Sequence, residues 1–533
     1  MSFSENPNIY DEIPYPDMTH SHTHTERMET LATMLGMKPA PVDNCRVLEI
    51  GCATGANLLP MAYAYPKSHF VGLDYASVQI EQGKANVSDL DLDNLELRHA
   101  DIMDMPQELG HFDYIIAHGF YSWVPVPVRD QLLQICKRHL APQGVVYISY
   151  NTYPGAYMIT LVRGLMRYHI RDVDNPVIAA AKAVELIEFL VEALEPHNTS
   201  YSAYLASYYD LLNEKMMESK AWVDSLLVHD ELAEINDPVY FNEFVEHASS
   251  FGMQYLVESE LAEVMPGKLP PKVLKQLGKM ARDTIEMEQY LDILKNRGFR
   301  RTLLCHQEIK VNRTLKPDIV FDLNLVSSAQ TVEIKSGDLP ENVCHFKGEN
   351  EAIFSTDHPL TIAAFNQLNK IYPQAASFRE LVHTSLRASP IQESESLDDH
   401  ATLMAANFLR AYGYSESLVT FHVHPPQLAP TISEKPVASL IARWQSDHML
   451  RVTNMRHERV EIDDLARRLI RRLDGDHDGQ QLWEGIYEDY IAGKITLDVG
   501  ETAEPGSEKA REALAKVINK RLNFFARAAL LVA

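Results

Sequence analysis

The stretch VLEIGCATG (47–55) decides how the rest of the chain is read. Its first residues form an apolar run suited to a buried strand, and Gly51 and Gly55 supply a sharp turn ahead of a helix. Glycine is needed where backbone turns tightly at a strand end and approaches a ligand closely. A helix starting there offers unpaired N–H groups and favours a negative group. Moving outward, apolar runs recur at 45–50, 69–74, 95–99, 112–117 and 145–150, with helical stretches at about 55–64, 76–87 and 127–140. Strands alternating with helices predict an α/β fold: a Rossmann-like, doubly wound parallel sheet covered on both faces.

Two acids stand at successive strand ends. Asp74 closes HFVGLD, nineteen residues beyond Gly55, and Asp101 follows the third run in HADI. An acid at the end of the second strand hydrogen-bonds ribose hydroxyls in such units. Asp101 is expected to accept from an adenine amine. A dinucleotide fingerprint wants G-x-G-x-x-G, whereas this chain has GCATG with no middle glycine. Glu49, two residues before Gly51, suits the cationic amino group of S-adenosylmethionine. The cofactor is therefore read as S-adenosylmethionine. The candidate cofactor-binding residues are Glu49, Gly51, Cys52, Gly55, Asp74, Tyr75, Asp101, Ile102 and His118.

After NTYPG (151–155) the pattern becomes helical, with Val184, Ile187, Val191 and Leu194 on one face of a helix over 178–194. MQYLVES (253–259) and FRRTLLCH (299–306) each follow a helix that ends in glycine and read as the last two strands of the same sheet. The expected organisation is a cofactor-binding core (1–155), a helical insertion for dimerisation or as a lid (156–235) and a segment completing the sheet (236–306). A mixed middle domain (307–430) and a mainly helical, winged-helix-like C-terminal domain (431–533) follow, the latter with KITLDV (494–499) as a strand.

Residues 45–150 resemble the cofactor half of the class I methyltransferases, with ExGxxxG at Glu49–Gly55, then Asp74, Asp101 and FDYIIAHG (112–119). The middle glycine of that family's pattern is Ala53 here, which leaves slightly less room beside the cofactor. HDELAEINDPVYFNEFVEHASSFGMQYLVESEL (229–261) is similar to the methyltransferase regulatory domain found behind such cores. With NTYPG and the length, the chain resembles the rickettsial-type bacterial protein lysine methyltransferases. The resemblance implies methyl transfer to a protein acceptor, lysine side chains in particular, and a homodimer. The other functions considered are a small-molecule methyltransferase and a cofactor-sensing regulator without turnover.

Methyl transfer from a sulfonium is a direct displacement, so the acceptor must be held in line and water excluded. A lysine must also arrive neutral, and aromatic rings hold a cation without a full negative charge. Tyr121, Trp123, Tyr150, Asn151 and Tyr153 leave the sheet edge that carries the cofactor and are the candidate catalytic, acceptor-lining residues.

Composition excludes other classes. The 533 residues are 46% hydrophobic and 23% charged, as in globular proteins. A net charge of −25 opposes a nucleic-acid backbone, so nucleic acid is not an expected partner. Cys45, Cys52, Cys136, Cys305 and Cys344 are odd in number and widely spaced, which argues against a disulfide framework or zinc site. The first twenty residues lack a signal-peptide pattern and no apolar run is long enough to span a membrane, so a cytoplasmic address is expected. His20, His22 and His24 in THSHTHT lack a supporting ligand cluster, and no metal is expected; they read as a segment folded over the cofactor with Tyr10 or Tyr15 nearby. Pro317-Asp318 with Glu333-Ile334-Lys335 matches a loose nuclease pattern by chance, and Arg467, Arg468, Arg471 and Arg472 read as a solvated or partner-binding face.

Overall fold

The computed structural model describes residues 9–105, 109–197, 199–218, 220–265, 269–334, 343–391, 396–429, 431–495 and 508–532. Its organising element is a seven-stranded sheet. The strands are β1 (Arg46–Ile50), β2 (His69–Asp74), β3 (Leu95–His99), β4 (Phe112–Ala117), β5 (Leu140–Asn151), β6 (Met253–Glu258) and β7 (Phe299–His306). Their order across the sheet is β3-β2-β1-β4-β5-β7-β6. β1 to β5 pair in parallel, and β7 runs antiparallel between β5 and β6. The two late apolar runs therefore close the sheet begun by the first five.

Alternation along β1 shows why the sheet is covered on both faces. Val47 joins a core with Phe70, Leu97, Tyr114 and Tyr147, while Leu48 joins the opposite one with Val71, Ile115, Val146 and Ile148. The helices Leu58–Ala64, Ser77–Asp89 and Val126–His139 connect the strands. The sequence starts the first of these three residues early, because residues 55–57 are still turning out of the glycine bend.

The pairing of β6 with β7 surrounds one buried cation. Arg300, with none of its side chain exposed, donates to Glu258 at 2.7 Å, to Asp292 at 2.8 Å and to Glu288 at 3.1 Å. Its guanidinium also lies 3.7 Å from the Phe241 ring centroid. A charge is tolerated at such a depth only when it is paired and hydrogen-bonded.

Between β5 and β6 the chain makes the helices Ala156–Ile170, Pro176–Leu194, Ser200–Glu218 and Lys220–Leu226, then a π-turn, Leu227–Glu231. Ile187 is fully buried in their common core, with Val184, Val191 and Leu194 half-buried around it. After β7 come short antiparallel sheets and the helices Pro359–Ile371, Phe378–Arg387 and Leu397–Tyr414.

The last part has its own core, including Ala442, Leu469, Ile486, Leu514 and Phe525. It is built from the helices Leu440–His448, Asp464–Arg471, Gly479–Ile491 and Glu508–Arg527, with a hairpin of Arg451–Thr453 against Arg459–Glu461. Most of the strand expected at 494–499 lies outside the described residues, as does Lys335. Arg467, Arg468, Arg471 and Arg472 pair with Asp464, Asp489, Asp447 and Asp489 respectively. Among the described residues no helix is long and apolar enough to cross a membrane.

Candidate active site

The bend after β1 is clipped to the end of β2. The N–H groups of Gly51 and Cys52 donate to the Leu73 carbonyl at 2.8 and 3.2 Å. Gly51, Ala53 and Gly55 all adopt left-handed backbone, with φ of 76°, 50° and 75°. A Cβ on Gly51 would stand 3.0 Å from the Phe120 ring, so glycine is required there by both conformation and space. Asp74 ties the bend down: one carboxylate oxygen accepts from the Ala53 N–H and the other from the Ala76 N–H, each at 2.7 Å. Each oxygen keeps a lone pair that a ligand hydroxyl could use. Burial pushes the Asp74 carboxyl above its ordinary range, opposed by these backbone donors. Asp101, just past β3, accepts from the Met103 N–H at 2.9 Å and caps the short turn Ile102–Asp104.

Glu49 is buried beneath the bend. Its Oε1 accepts from Asn57 Nδ2 at 2.8 Å, while Oε2 has no hydrogen-bond partner within the protein. Burial pushes the Glu49 carboxyl up to about 8, with the Asn57 hydrogen bond opposing and the nearby Asp74 charge adding to the rise. A buried acceptor without a donor is costly, and a cationic ligand group would relieve it.

These residues open onto one cavity of about 860 Å³. Of the expected cofactor residues, Glu49, Gly51, Cys52, Asp74, Tyr75, Asp101, Ile102 and His118 line it. Gly55 does not: a Cβ there would meet Leu97 at 2.9 Å, so this glycine allows the bend to pack on β3. Of the expected acceptor residues, Trp123 and Asn151 line the cavity and three side chains do not. Tyr121 and Tyr150 are core residues, 2% and 0% exposed. The Tyr121 hydroxyl meets His247 Nδ1 at 2.7 Å, the Tyr150 hydroxyl meets Thr302 at 3.1 Å, and both rings pack on Phe244. Tyr153 stacks on Tyr157, ring centroids 4.1 Å apart, and packs beside Tyr240. On β5, Tyr150 and Asn151 point to opposite faces of the strand, which puts Asn151 in the cavity wall and Tyr150 in the core.

Other walls come from distant parts of the chain. The N-terminal segment contributes Tyr10, Tyr15, Asp17 and His20. Asp17 accepts from the Thr54 hydroxyl, and the His20 ring lies 3.8 Å from that of His118. His118 Nδ1 meets the Tyr147 hydroxyl at 2.9 Å, and burial drives its pKa well below the ordinary histidine value, so the ring is neutral. Beside the N-terminal segment, His229, Asp230, Glu231 and Asn236 also line the cavity. Tyr10 stacks on His229 at 4.3 Å. Burial raises the Asp230 carboxyl to about 7, with the Glu231 charge adding to it and Lys215 opposing. Thr54, Asn57, His229, Asp230, Glu231 and Asn236 line the cavity beyond the residues that the sequence pattern marks. For Asn57 a signal existed: it lies just past the glycine bend, eight residues after Glu49. Asp230 and Glu231 carried none, since acids in a helix-rich stretch ordinarily face solvent. Among the described residues no three His, Cys, Asp or Glu side chains are grouped to hold a metal ion.

A sheet in this order, with a glycine bend after β1 and acids after β2 and β3, defines a class I methyltransferase fold. Comparison with known proteins agrees along the chain. The model described as "Methyltransferase domain" matches residues 47–144, that for "Predicted methyltransferase regulatory domain" residues 223–306, and that for "PKMT, C-terminal winged helix domain" residues 434–530. The uncharacterised protein RP789 of Rickettsia prowazekii is 33% identical, over 98% of this chain and 94% of its own length. PKMT2 from Rickettsia typhi is 29% identical, with a TM-score of 0.85 over 98% of this chain and all (100%) of its own. The same protein in complex with AdoHcy gives a TM-score of 0.84 at 29% identity, over 98% of this chain and 100% of that one. The chain belongs to the family of class I, S-adenosylmethionine-dependent methyltransferases that carry a methyltransferase regulatory domain and a PKMT-type winged helix. The site's chemistry fits that cofactor: a partnerless buried carboxylate oxygen for its amino group, and carboxylates at two strand ends for its hydroxyl and amine donors.

Proposed function

We propose that the protein transfers a methyl group from S-adenosylmethionine to the side-chain amine of lysine in a protein acceptor. The observation carrying this reading is the acidic pair Asp230 and Glu231, which lines the same cavity as the glycine bend. A relative that shares the whole architecture is named PKMT2.

Glu49 Oε2 receives the amino group of the cofactor, Asp74 the ribose hydroxyls and Asp101 the adenine amine, while Gly51, Cys52, Tyr75, Ile102 and His118 shape the cradle. When bound, the cofactor supplies an electrophilic methyl on a sulfonium. Tyr10, Tyr15, Asp17 and His20 cover the site and limit water, which strengthens the electrostatics within it. Asp230 and Glu231 attract a cationic acceptor. At its raised value of about 7, Asp230 is a stronger base than an ordinary carboxylate, and in its ionised form it accepts the proton that lysine Nζ gives up on desolvation, leaving the neutral amine that reacts. Asn151 and Trp123 line the route between the two halves.

The test is incubation with tritiated cofactor and either bacterial cell protein or a protein-free metabolite extract, followed by hydrolysis and amino-acid analysis. Label in methylated lysine supports the proposal. Label found only in small molecules, or in another side chain, replaces it.

A further inference from the structure

The hairpin of the C-terminal domain reaches the floor of the cofactor site. His457 lies in its turn, is 2% exposed and holds φ at 61°. Left-handed backbone is uncommon outside glycine, and here the turn around it is fixed. Asn454 Oδ1 accepts from the N–H groups of Arg456 and Glu458, each at 2.9 Å, and Asn454 Nδ2 donates to the Ala528 carbonyl at 2.9 Å. So held, His457 Nε2 comes to 2.9 Å from Asn57 Oδ1. An amide oxygen carries no hydrogen, so Nε2 is the protonated ring nitrogen and donates. Burial lowers the His457 pKa well below the ordinary value, which keeps the ring neutral. The His20 N–H donates to the same oxygen at 3.0 Å.

Two donors on Oδ1 leave only one orientation for the Asn57 amide. Its Nδ2 must face Thr23 Oγ1 at 2.9 Å and Glu49 Oε1 at 2.8 Å. Rotated by half a turn, the amide would put its NH2 against the His20 N–H, a donor against a donor, and its oxygen against the Glu49 carboxylate that a cationic ligand ionises. Asn57 thus holds one Glu49 oxygen and leaves Oε2 as the acceptor open to the ligand.

We propose that His457 is a positioning residue for the cofactor: through Asn57 it orients Glu49 toward the amino group at the methionine end. The C-terminal domain is then part of the cofactor site, and cofactor binding and hairpin docking strengthen each other by the same factor. The inference rests on the cofactor assignment, which wild-type affinity tests separately.

The experiment compares two ligands by calorimetry on the full chain. S-Adenosylhomocysteine carries the amino group; 5′-methylthioadenosine has the same purine and sugar without it. His457→Gly removes the donor and suits the left-handed backbone. It is expected to weaken S-adenosylhomocysteine about tenfold, the upper end of the scale for one hydrogen bond between neutral groups. Affinity for 5′-methylthioadenosine is expected to stay within about twofold, since the coupling reaches only groups in contact with Glu49. In a Glu49→Gln background the loss from His457→Gly should vanish. If the glycine variant does not fold, His457→Asn, which tolerates the same backbone, is measured in its place with the same expected pattern. Equal weakening of both ligands, or unchanged affinity for both, overturns the proposal.

Discussion

Asp74 accepts a hydrogen bond from the Ala53 N–H at 2.7 Å, so the acid after β2 holds the glycine bend after β1. One side chain thus shapes the bend and offers its remaining lone pairs to a ligand. Asp74→Ala is expected to weaken S-adenosylhomocysteine by about 1–3 kcal/mol, with the protein still folded. Calorimetry on the variant gives the value, and unchanged affinity would remove Asp74 from the site.

Ala53 occupies left-handed backbone, φ 50°, which costs a non-glycine residue roughly 1–2 kcal/mol. Ala53→Gly removes that strain but adds freedom to the unfolded chain. A net stabilisation of about 1 kcal/mol is expected, read as a raised thermal midpoint. A lowered midpoint would show that the alanine methyl group packs better than the strain costs.

Glu49 keeps its proton up to about 8 in the protein alone, because burial disfavours the charge. An incoming ammonium favours the ionised carboxylate, so binding at neutral pH should expel a proton. Affinity should fall as pH drops, approaching about tenfold per pH unit. Calorimetry in buffers of different ionisation enthalpy measures the proton released, and Glu49→Gln should abolish it. The sign for stability is opposite to that of an ordinary ion-paired acid. The folded value lies above the ordinary 4.5, so this group's contribution is full below 4.5 and is lost as pH rises to about 8.

Asp230→Asn keeps the shape of the side chain and removes the base. The turnover rate with a protein acceptor is expected to fall about 100-fold or more, with cofactor affinity unchanged. In the wild type the rate should rise as pH passes about 7, where Asp230 loses its proton. A flat profile together with an active variant would exclude Asp230 as the base.

Arg300→Met would leave Glu258 buried without its cation and Asp292 with Arg297 alone, 3.2 Å away. Breaking such a pair costs about 3–5 kcal/mol, so unfolding in urea should shift to lower concentration. A double replacement with apolar residues at Arg300 and Glu258 should recover part of the loss.

The sequence made the parallel sheet legible because each strand is a short apolar run between glycines and acids. The late strands were readable for the same reason, although a helical block separates them from the others. The part of the cavity around the glycine bend was legible because its residues sit at strand ends, where topology fixes their place. The walls beyond it were not. Tyr121, Tyr150 and Tyr153 are aromatic residues near the right edge, but strand pleat and packing on Phe244 and Tyr157 turn their rings away. Asp230 reaches the cavity and His457 reaches Asn57 through tertiary packing, and no local spacing announces either.

The most direct test of the account is a crystal structure of the full chain with S-adenosylhomocysteine. The ligand is expected in the cavity beside Gly51, its amino group at Glu49, its ribose on Asp74 and its adenine amine on Asp101. Ligand density in any other place, or these three carboxylates turned away from it, would contradict the account.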